Sequence, residues 1–363
     1  MHMANELLSV PVAGATLGIA AAGLGFVCRK AQRIITSDKL ALMGILGAFI
    51  FAAQMVNFQL PGMPGTSGHL VGAVLLAVIL GPHLAAIVMS SVVIIQCLIF
   101  QDGGLLALGC NIINMALVPS YLGYFLYRAV TAPHQLNVRE RLVSESQNPG
   151  ASAAQLVRGS LRIYIGTMLA CMIAVEAGAI LVPLQTTLSG VLRIPFSTFL
   201  ITMIGVHFLV GLLEGLVTVA VLGYLQQVRP DIVADSLPGK VRLSRKAVLA
   251  TLVVFTVAIG AGLSLVASGL PDGLEWSYAE RPDQPDFETV VSNEDSRVTA
   301  VDNFQKKYAP LPDYSRRVSP LGQTEKVDVN VSSGWTSFAG VLGSAITMFF
   351  IWLAARLLIR NPR

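Results

Sequence analysis

The chain has 363 residues, 54% of them hydrophobic and 13% charged, with a net charge of +4. Its mean hydropathy is +0.67. Soluble domains carry about 25% charged residues, so the composition excludes an ordinary soluble enzyme and predicts an all-α polytopic membrane protein.

At the start stands Met1-His2. A free α-amine, the amide nitrogen of residue 2 and the Nδ1 of a histidine at residue 2 can close two rings on one metal ion. Their three nitrogens lie nearly in a plane and leave one position of a square, a geometry that suits Ni(II) and Cu(II). The plainer alternative is a start residue followed by an early polar one. The chelate needs an uncleaved, unblocked terminus. The first apolar run has no basic residues before it, unlike a cleaved signal peptide, and a bulky second residue predicts that Met1 is retained.

Runs of mostly apolar residues long enough to cross a bilayer are expected at 10–28, 38–57, 68–80, 83–100, 104–128, 160–183, 197–226, 247–268 and 336–358, about nine in all. In the first, Gly14, Gly18 and Ala22 flatten one helix face for close approach of another helix, either within this chain or on a partner membrane subunit. The four cysteines, Cys28, Cys97, Cys110 and Cys171, form no CxxC pair, which argues against a structural zinc site or a disulfide framework.

Charge orients the spans. With the N-terminus outside, the inner loops hold Arg29, Lys30, Arg33, Lys39, Arg128, Arg139, Arg141, Arg158, Arg162, Arg229, Lys240, Arg242, Arg245 and Lys246, and the tail holds Arg356, Arg360 and Arg363, whereas the short outer loops hold only Arg193. The positive-inside rule therefore predicts N-terminus out and C-terminus in. This sorts the histidines: His2 and His69 are outside, His83 and His134 inside, and His207 is within a span. Only His69 shares the face and depth of His2 and can give the fourth nitrogen; alternatively it is a helix-end histidine at headgroup level. The loop 57–68 before it, with Asn57 and Ser67 as candidate pathway or supporting residues, is uncharged and rich in Gly and Pro. Such permissive backbone can fold against the N-terminus, and irregular backbone is tolerated at this depth where it lines a cavity. A metal bound there displaces protons from nitrogen, so binding is expected to weaken as pH falls.

Ionisable or amide groups within spans are further candidates. Asn111 and Asn114 are three apart, and His207 and Glu214 are seven apart on one face. Each pair can support a metal or simply bond helices together. No HExxH, GxxxxGK[ST] or GxSxG pattern occurs, so if this protein moves something uphill it is not expected to hydrolyse the nucleotide itself. Composition shifts near residue 240. The chain divides into a membrane domain at 1–230, a basic cytoplasmic linker at 231–246 and a two-helix hairpin at 247–363 with an outer segment at 269–335. From Leu270 to Ser333 that segment carries a net charge of about −5, able to concentrate cations; the alternative is a flexible tether.

These features together resemble a known family. Met-His-Met-Ala-Asn-Glu at the start, Gly-Thr-Ser-Gly-His69, Gln101-Asp-Gly-Gly, Asn111, Asn114 and His207-x6-Glu214 resemble the CbiM/NikM proteins, the substrate-binding components of energy-coupling-factor (ECF) cobalt and nickel importers. Leu270-Pro-Asp-Gly-Leu-Glu275 resembles the signature of their companion N component. The resemblance implies a seven-helix metal-binding domain fused to an N-type hairpin, and Ni(II) or Co(II) as transported substrate, with square nitrogen geometry leaning to nickel. It implies ligands from Met1, His2 and His69, with a transmembrane coupling protein and cytoplasmic ABC-type ATPases as partners. Neither an organic cofactor nor nucleic acid is expected, and the location implied is a cell inner or plasma membrane. Two rival readings are a membrane-embedded metalloenzyme built on His207 and Glu214, and a metal sensor that does not transport.

Overall fold

The computed structural model describes residues 1–145, 153–233, 241–279, 281–284, 286–315 and 329–359. Lys240, Arg360 and Arg363 lie outside the described residues, as do the side chains of His134, Arg139, Arg141 and Arg158 and parts of the expected linker and outer segment. Among the described residues, seven helical spans are long and apolar enough to cross a membrane: Val10–Ala31, Ser37–Gln54, Pro82–Phe100, Leu161–Leu188, Phe196–Val228, Arg245–Val266 and Gly334–Leu358.

In chain order, α1 is Val10–Ala31, α2 Ser37–Gln54, α3 Ala73–Leu80, α4 Pro82–Ile95, α5 Leu108–Asn111, α6 Val118–Glu145, α7 Ala153–Leu188 and α8 Phe196–Val228. Helix α1 starts with Pro11 in its first turn, where a missing N–H costs nothing. It is peripheral and leaves Leu17, Ile19 and Phe26 exposed to the lipid side. Helix α4 is the most enclosed span. The hairpin contributes α9 (Arg245–Val257) and α12 (Val329–Leu358), with α10 (Gly273–Tyr278) and α11 (Ser296–Tyr308) in the outer segment. Helix α12 packs along α2, where Ser344 Oγ donates to the Ala48 carbonyl at 3.3 Å and Ile351 is fully buried. Within a bilayer, close packing and such polar contacts hold helices together, because lipid is as apolar as the helices themselves.

Three sequence expectations are corrected. The span expected at 68–80 is helical only over the eight residues of α3, about 12 Å of rise, too short to cross the hydrocarbon core alone. The stretch before it bonds sideways instead of up a helix: β1 (Phe58–Gln59) pairs antiparallel with β2 (Ser67–Gly68), with Phe58 opposite Gly68. The span expected at 104–128 starts later, at Leu108, and runs on without a gap from α5 through a π-helical turn at Ile112–Leu117 into α6. A second π turn at Gln96–Phe100 ends α4. Such turns often lie at functional sites, and these two carry Gln96 and Asn114 at the outer end of the bundle.

The third correction concerns the acidic outer segment. Its described part is not a tether but folds down onto the outer loops. Asn293 Nδ2 donates to the Glu6 and Leu8 carbonyls at 3.1 and 2.8 Å, and the Leu311 amide donates to the Ile99 carbonyl at 3.0 Å. Its polar residues look solvated in sequence because their partners lie roughly 200 to 300 positions away. The stripe of Gly14, Gly18 and Ala22 is exposed, and nothing lies within 4 Å of where a Cβ would stand on either glycine. That stripe takes no part in internal packing.

Candidate metal centre

Amide side chains from α5 and the π turns thread the N-terminus into the bundle. The Met3 amide donates to Asn111 Oδ1 at 2.8 Å, and its carbonyl accepts from Asn111 Nδ2 at 3.2 Å and from the Gly104 amide at 2.8 Å. Asn5 Oδ1 accepts from the Leu106 amide, and Asn5 Nδ2 donates to Gln305 Oε1 on α11 at 3.0 Å. A Cβ on Gly104 would stand 2.4 Å from the Asn5 amide nitrogen, so the Asp102-Gly-Gly turn must be bare where the N-terminus crosses it. Asn114 and Gln185 exchange two amide bonds, and the Met3 sulfur sits 3.6 Å from Asn114 Nδ2. Met3 is fully buried there, which makes it a packing residue.

This threading brings the Met1 amine to 3.3 Å from His69 Nε2 and 2.7 Å from Asp272 Oδ2. His69 Nε2 lies 3.8 Å from the same Asp272 oxygen. The His2 ring stacks over the His69 ring, with centroids 5.3 Å apart. Its Nδ1 faces Asp102 Oδ1 at 3.0 Å and its Nε2 faces the Gln96 side-chain amide at 3.1 Å. The structure thus gathers Met1, His2 and His69 at one point, with the His2 ring turned to Asp102. His69 Nδ1 faces the Leu70 carbonyl at 3.1 Å, a bond that leaves Nε2 as the nitrogen bearing a free lone pair. Burial first, then the positive amine beside it, lower the His69 pKa, against an opposing pull from Asp272.

The remaining candidates act around this point. Glu214 on α8 accepts from the Val71 amide at 2.6 Å and the Gly72 amide at 3.0 Å, while Gln54 Nε2 donates to the Val71 carbonyl at 2.7 Å. Glu214 therefore clamps the non-helical arm that bears His69. His207 Nδ1 bonds the Met203 carbonyl of its own helix at 2.8 Å, and no bond joins it to Glu214. Ser67 bonds the hairpin: its amide and hydroxyl donate to the Pro271 carbonyl at 2.9 and 3.1 Å, and the hydroxyl also reaches the Leu270 carbonyl at 2.8 Å. Asn57 lines the cavity above the site and its carbonyl accepts from the Ser268 amide at 2.7 Å. Asn111 and Asn114 hold the N-terminal strand, as described. His83, at the far end of α4, pairs with the Tyr121 hydroxyl.

Sequence reasoning missed Asp102, Gln96 and Asp272 as site residues. Asp102 and Asp272 both fall in outer segments under the charge-derived topology, the same face as His2, and that signal was sufficient to nominate them. The cavity they share has a volume of about 490 Å³ and includes Glu275, Asp302 and Asp313 in its wall. A cleft lined by one sign of charge raises the local concentration of cations. Burial raises the Asp102 carboxyl, but His2 and the Tyr314 hydroxyl outweigh it and bring its pKa to about 2. Burial acts likewise on Asp272, whose carboxyl is nonetheless held well below the usual range by the amine and His69. Among the described residues, no three His, Cys, Asp or Glu side chains stand together as a metal site; the cluster around His69 includes a main-chain amine.

Residues 2–232 match the family model described as the CbiM cobalt uptake substrate-specific transmembrane region, and residues 246–360 match the PDGLE domain. The chain is 35% identical over 274 residues to a putative fused nickel transport protein NikMN of Archaeoglobus fulgidus, an alignment covering 75% of this chain and 80% of the relative. It is 30% identical over 287 residues to a probable fused nickel transport protein LarMN of Lactiplantibacillus plantarum, covering 77% and 79%. A crystal structure of a truncated transition metal transporter aligns with a TM-score of 0.47 at 30% identity, covering 62% of this chain and 98% of that one.

Proposed function

The chain belongs to the CbiM family, with a PDGLE domain fused behind it, and on that premise we propose that it is the ion-capture component of an ECF-type importer of Ni(II) or Co(II). It is a multi-pass membrane protein, and its relatives are named as nickel and cobalt transport proteins. The observation that carries the reading is the meeting of the Met1 amine with His69 Nε2 at 3.3 Å, under the ring of His2. Closing the chelate requires His2 to turn its Nδ1 from Asp102 toward the amine, and the amine to leave its pairing with Asp272. The amine, the His2 amide and imidazole, and His69 then supply four nitrogens in a plane, which fits Ni(II).

In this reading the N-terminus faces outward and the ion enters from the acidic cavity. The basic faces at 28–39 and 226–246 are cytoplasmic. A coupling protein docks in the membrane, for which the bare stripe of Gly14, Gly18 and Ala22 offers a face, and ABC-type ATPases drive release inward. Residues 1–230 form the capture domain and 247–363 the hairpin, joined by the 231–246 linker. Uptake of radiolabelled nickel and cobalt by cells carrying this chain, with and without its ATPase partners, tests the reading. Accumulation is expected only with them, and is expected to fall with His69→Ala but not with His83→Ala. Metal bound without ATPase-dependent accumulation would favour the sensor.

Affinity should also follow pH. Protons compete for the amine and the amide, and less for His69, whose pKa burial and the neighbouring amine lower. Nickel affinity of the full chain is therefore expected to drop by at least about tenfold per unit as pH falls from about 8 to 6, one proton or more leaving per ion bound. Titration calorimetry reads this directly, and a flat profile would remove both nitrogens from the ligand set.

A further inference from the structure

We propose that Asp272, supplied by the fused hairpin, is itself a ligand: with the Met1 amine and His69 it forms a first-contact set that takes the ion before His2 closes the chelate. The proposal rests on the capture reading above but adds a donor from a different part of the chain.

Three independent distances carry it. The amine, His69 Nε2 and Asp272 Oδ2 are separated by 3.3, 2.7 and 3.8 Å. Those sides make an acute triangle whose circumscribed circle has a radius of about 1.9 Å, so one point inside it is equidistant from all three atoms at close to the ~2.0 Å of metal–nitrogen and metal–oxygen bonds. The three atoms can therefore share one ion without any of them moving. His2, meanwhile, faces Asp102 and Gln96 and is not yet a donor.

The carboxylate is fixed for this task. Asp272 Oδ1 accepts from the Leu274 and Glu275 amides at 2.8 and 2.9 Å as the cap of α10, and the Asp272 amide donates to Glu275 Oε2 at 3.1 Å. This reciprocal cap locks the side chain and leaves Oδ2 free to point at the amine. The backbone before it is tied to Ser67, two residues from His69. Behind it, a Cβ on Gly273 would stand 2.2 Å from Val206 Cγ1, so α10 lies hard against α8. The hairpin and the His69 arm are thus one rigid unit on either side of the ion position.

On arrival, three waters of the hydrated ion are exchanged for the three donors, and the proton on the amine leaves to solvent. His2 then swings from Asp102 and releases its amide proton as it binds, and the ion shifts off the fixed Asp272 oxygen into the plane of the nitrogens. A hard oxygen donor suits the hydrated incoming ion, and the all-nitrogen plane suits the final one.

The test uses nickel sulfate and the full-length protein. Replacement of His2 by His2→Phe, bulky enough to retain Met1, is expected to leave the first-contact set without the chelate, with weak nickel binding and nickel K-edge absorption spectra that differ from those of the native complex. Adding Asp272→Ser, which keeps the helix cap, is expected to weaken that residual binding at least tenfold; Asp272→Asn, also a capping residue, serves if the serine variant does not fold. In otherwise native protein, Asp272→Ser is expected to slow nickel association at least tenfold without altering the spectrum of the final complex. Equal nickel affinity with and without Asp272 in the His2→Phe background, or an unchanged association rate, overturns the proposal while leaving the capture reading intact. Native nickel binding by a chain extended before Met1 overturns both.

Discussion

Two or three residues added ahead of Met1 are expected to abolish nickel capture by the full-length protein, by at least about 1,000-fold in affinity, or about 4 kcal/mol. The added peptide bond converts the amine, a donor that gives up a proton to bind metal, into an amide whose lone pair is delocalised. It also removes the chelate ring between that amine and the His2 amide. Space is lacking too: Met1 is 4% exposed, and its amine already has His69 and Asp272 as neighbours. An extension must push out Asp272, and with it the α10 cap. The same residues added after Arg363 are expected to leave binding unchanged, which separates a local effect from a general one. Calorimetry with nickel, after mass spectrometry of the intact terminus, reads the result. Native affinity in the extended chain would exclude the amine.

Replacing Glu214 by Leu is expected to cost both stability and metal. The two buried amides of Val71 and Gly72 would lose their acceptor, at about 1–3 kcal/mol for each orphaned donor. The His69 arm has no helical hydrogen bonds of its own to fall back on, because residues 68–72 are not helical. Its remaining anchors are Gln54 and the Ser67 contacts. The melting temperature should fall by several degrees, and nickel affinity by about ten- to a hundredfold as His69 loses its fixed place. Glu214→Gln keeps one acceptor but turns a donor toward the other amide, and should fall between. His207→Ala removes a bond within α8 and packing against Gly273 but no partner of the His69 arm, and should cost less nickel affinity. A Glu214→Leu protein with native melting and native nickel affinity would mean that the clamp does not position His69.

The resemblance in sequence named the family, and the family models and the fused nickel-transport relatives bear that out. The apolar runs gave most of the spans, because crossing a bilayer forces length and composition together. The third run failed for an instructive reason. Apolar residues 68–72 satisfy their backbone groups on Glu214, on Gln54 and across a two-stranded hairpin, and hydropathy does not record where an amide finds its partner. The hairpin failed in the opposite direction: its acidic, Pro-rich segment reads as solvated, yet Asn293, Gln305 and Tyr314 each spend their polar groups on the N-terminal segment or on the 101–104 turn of the CbiM region.

Local chemistry was legible wherever donors are close in sequence. Met1 and His2 are a potential chelate by covalent geometry alone, and charge asymmetry predicted His69 on the same side of the membrane as His2. What sequence could not contain is distance between remote segments. Asp272 meets the Met1 amine across 271 positions, and Asp102 meets His2 across a turn that only a bare Gly104 permits. Covalent structure and the bilayer determined the fold class and made Met1-His2 a candidate chelate. The packing of α10 against α8 and the His69 arm decided that the fused hairpin reaches the Met1 amine at all.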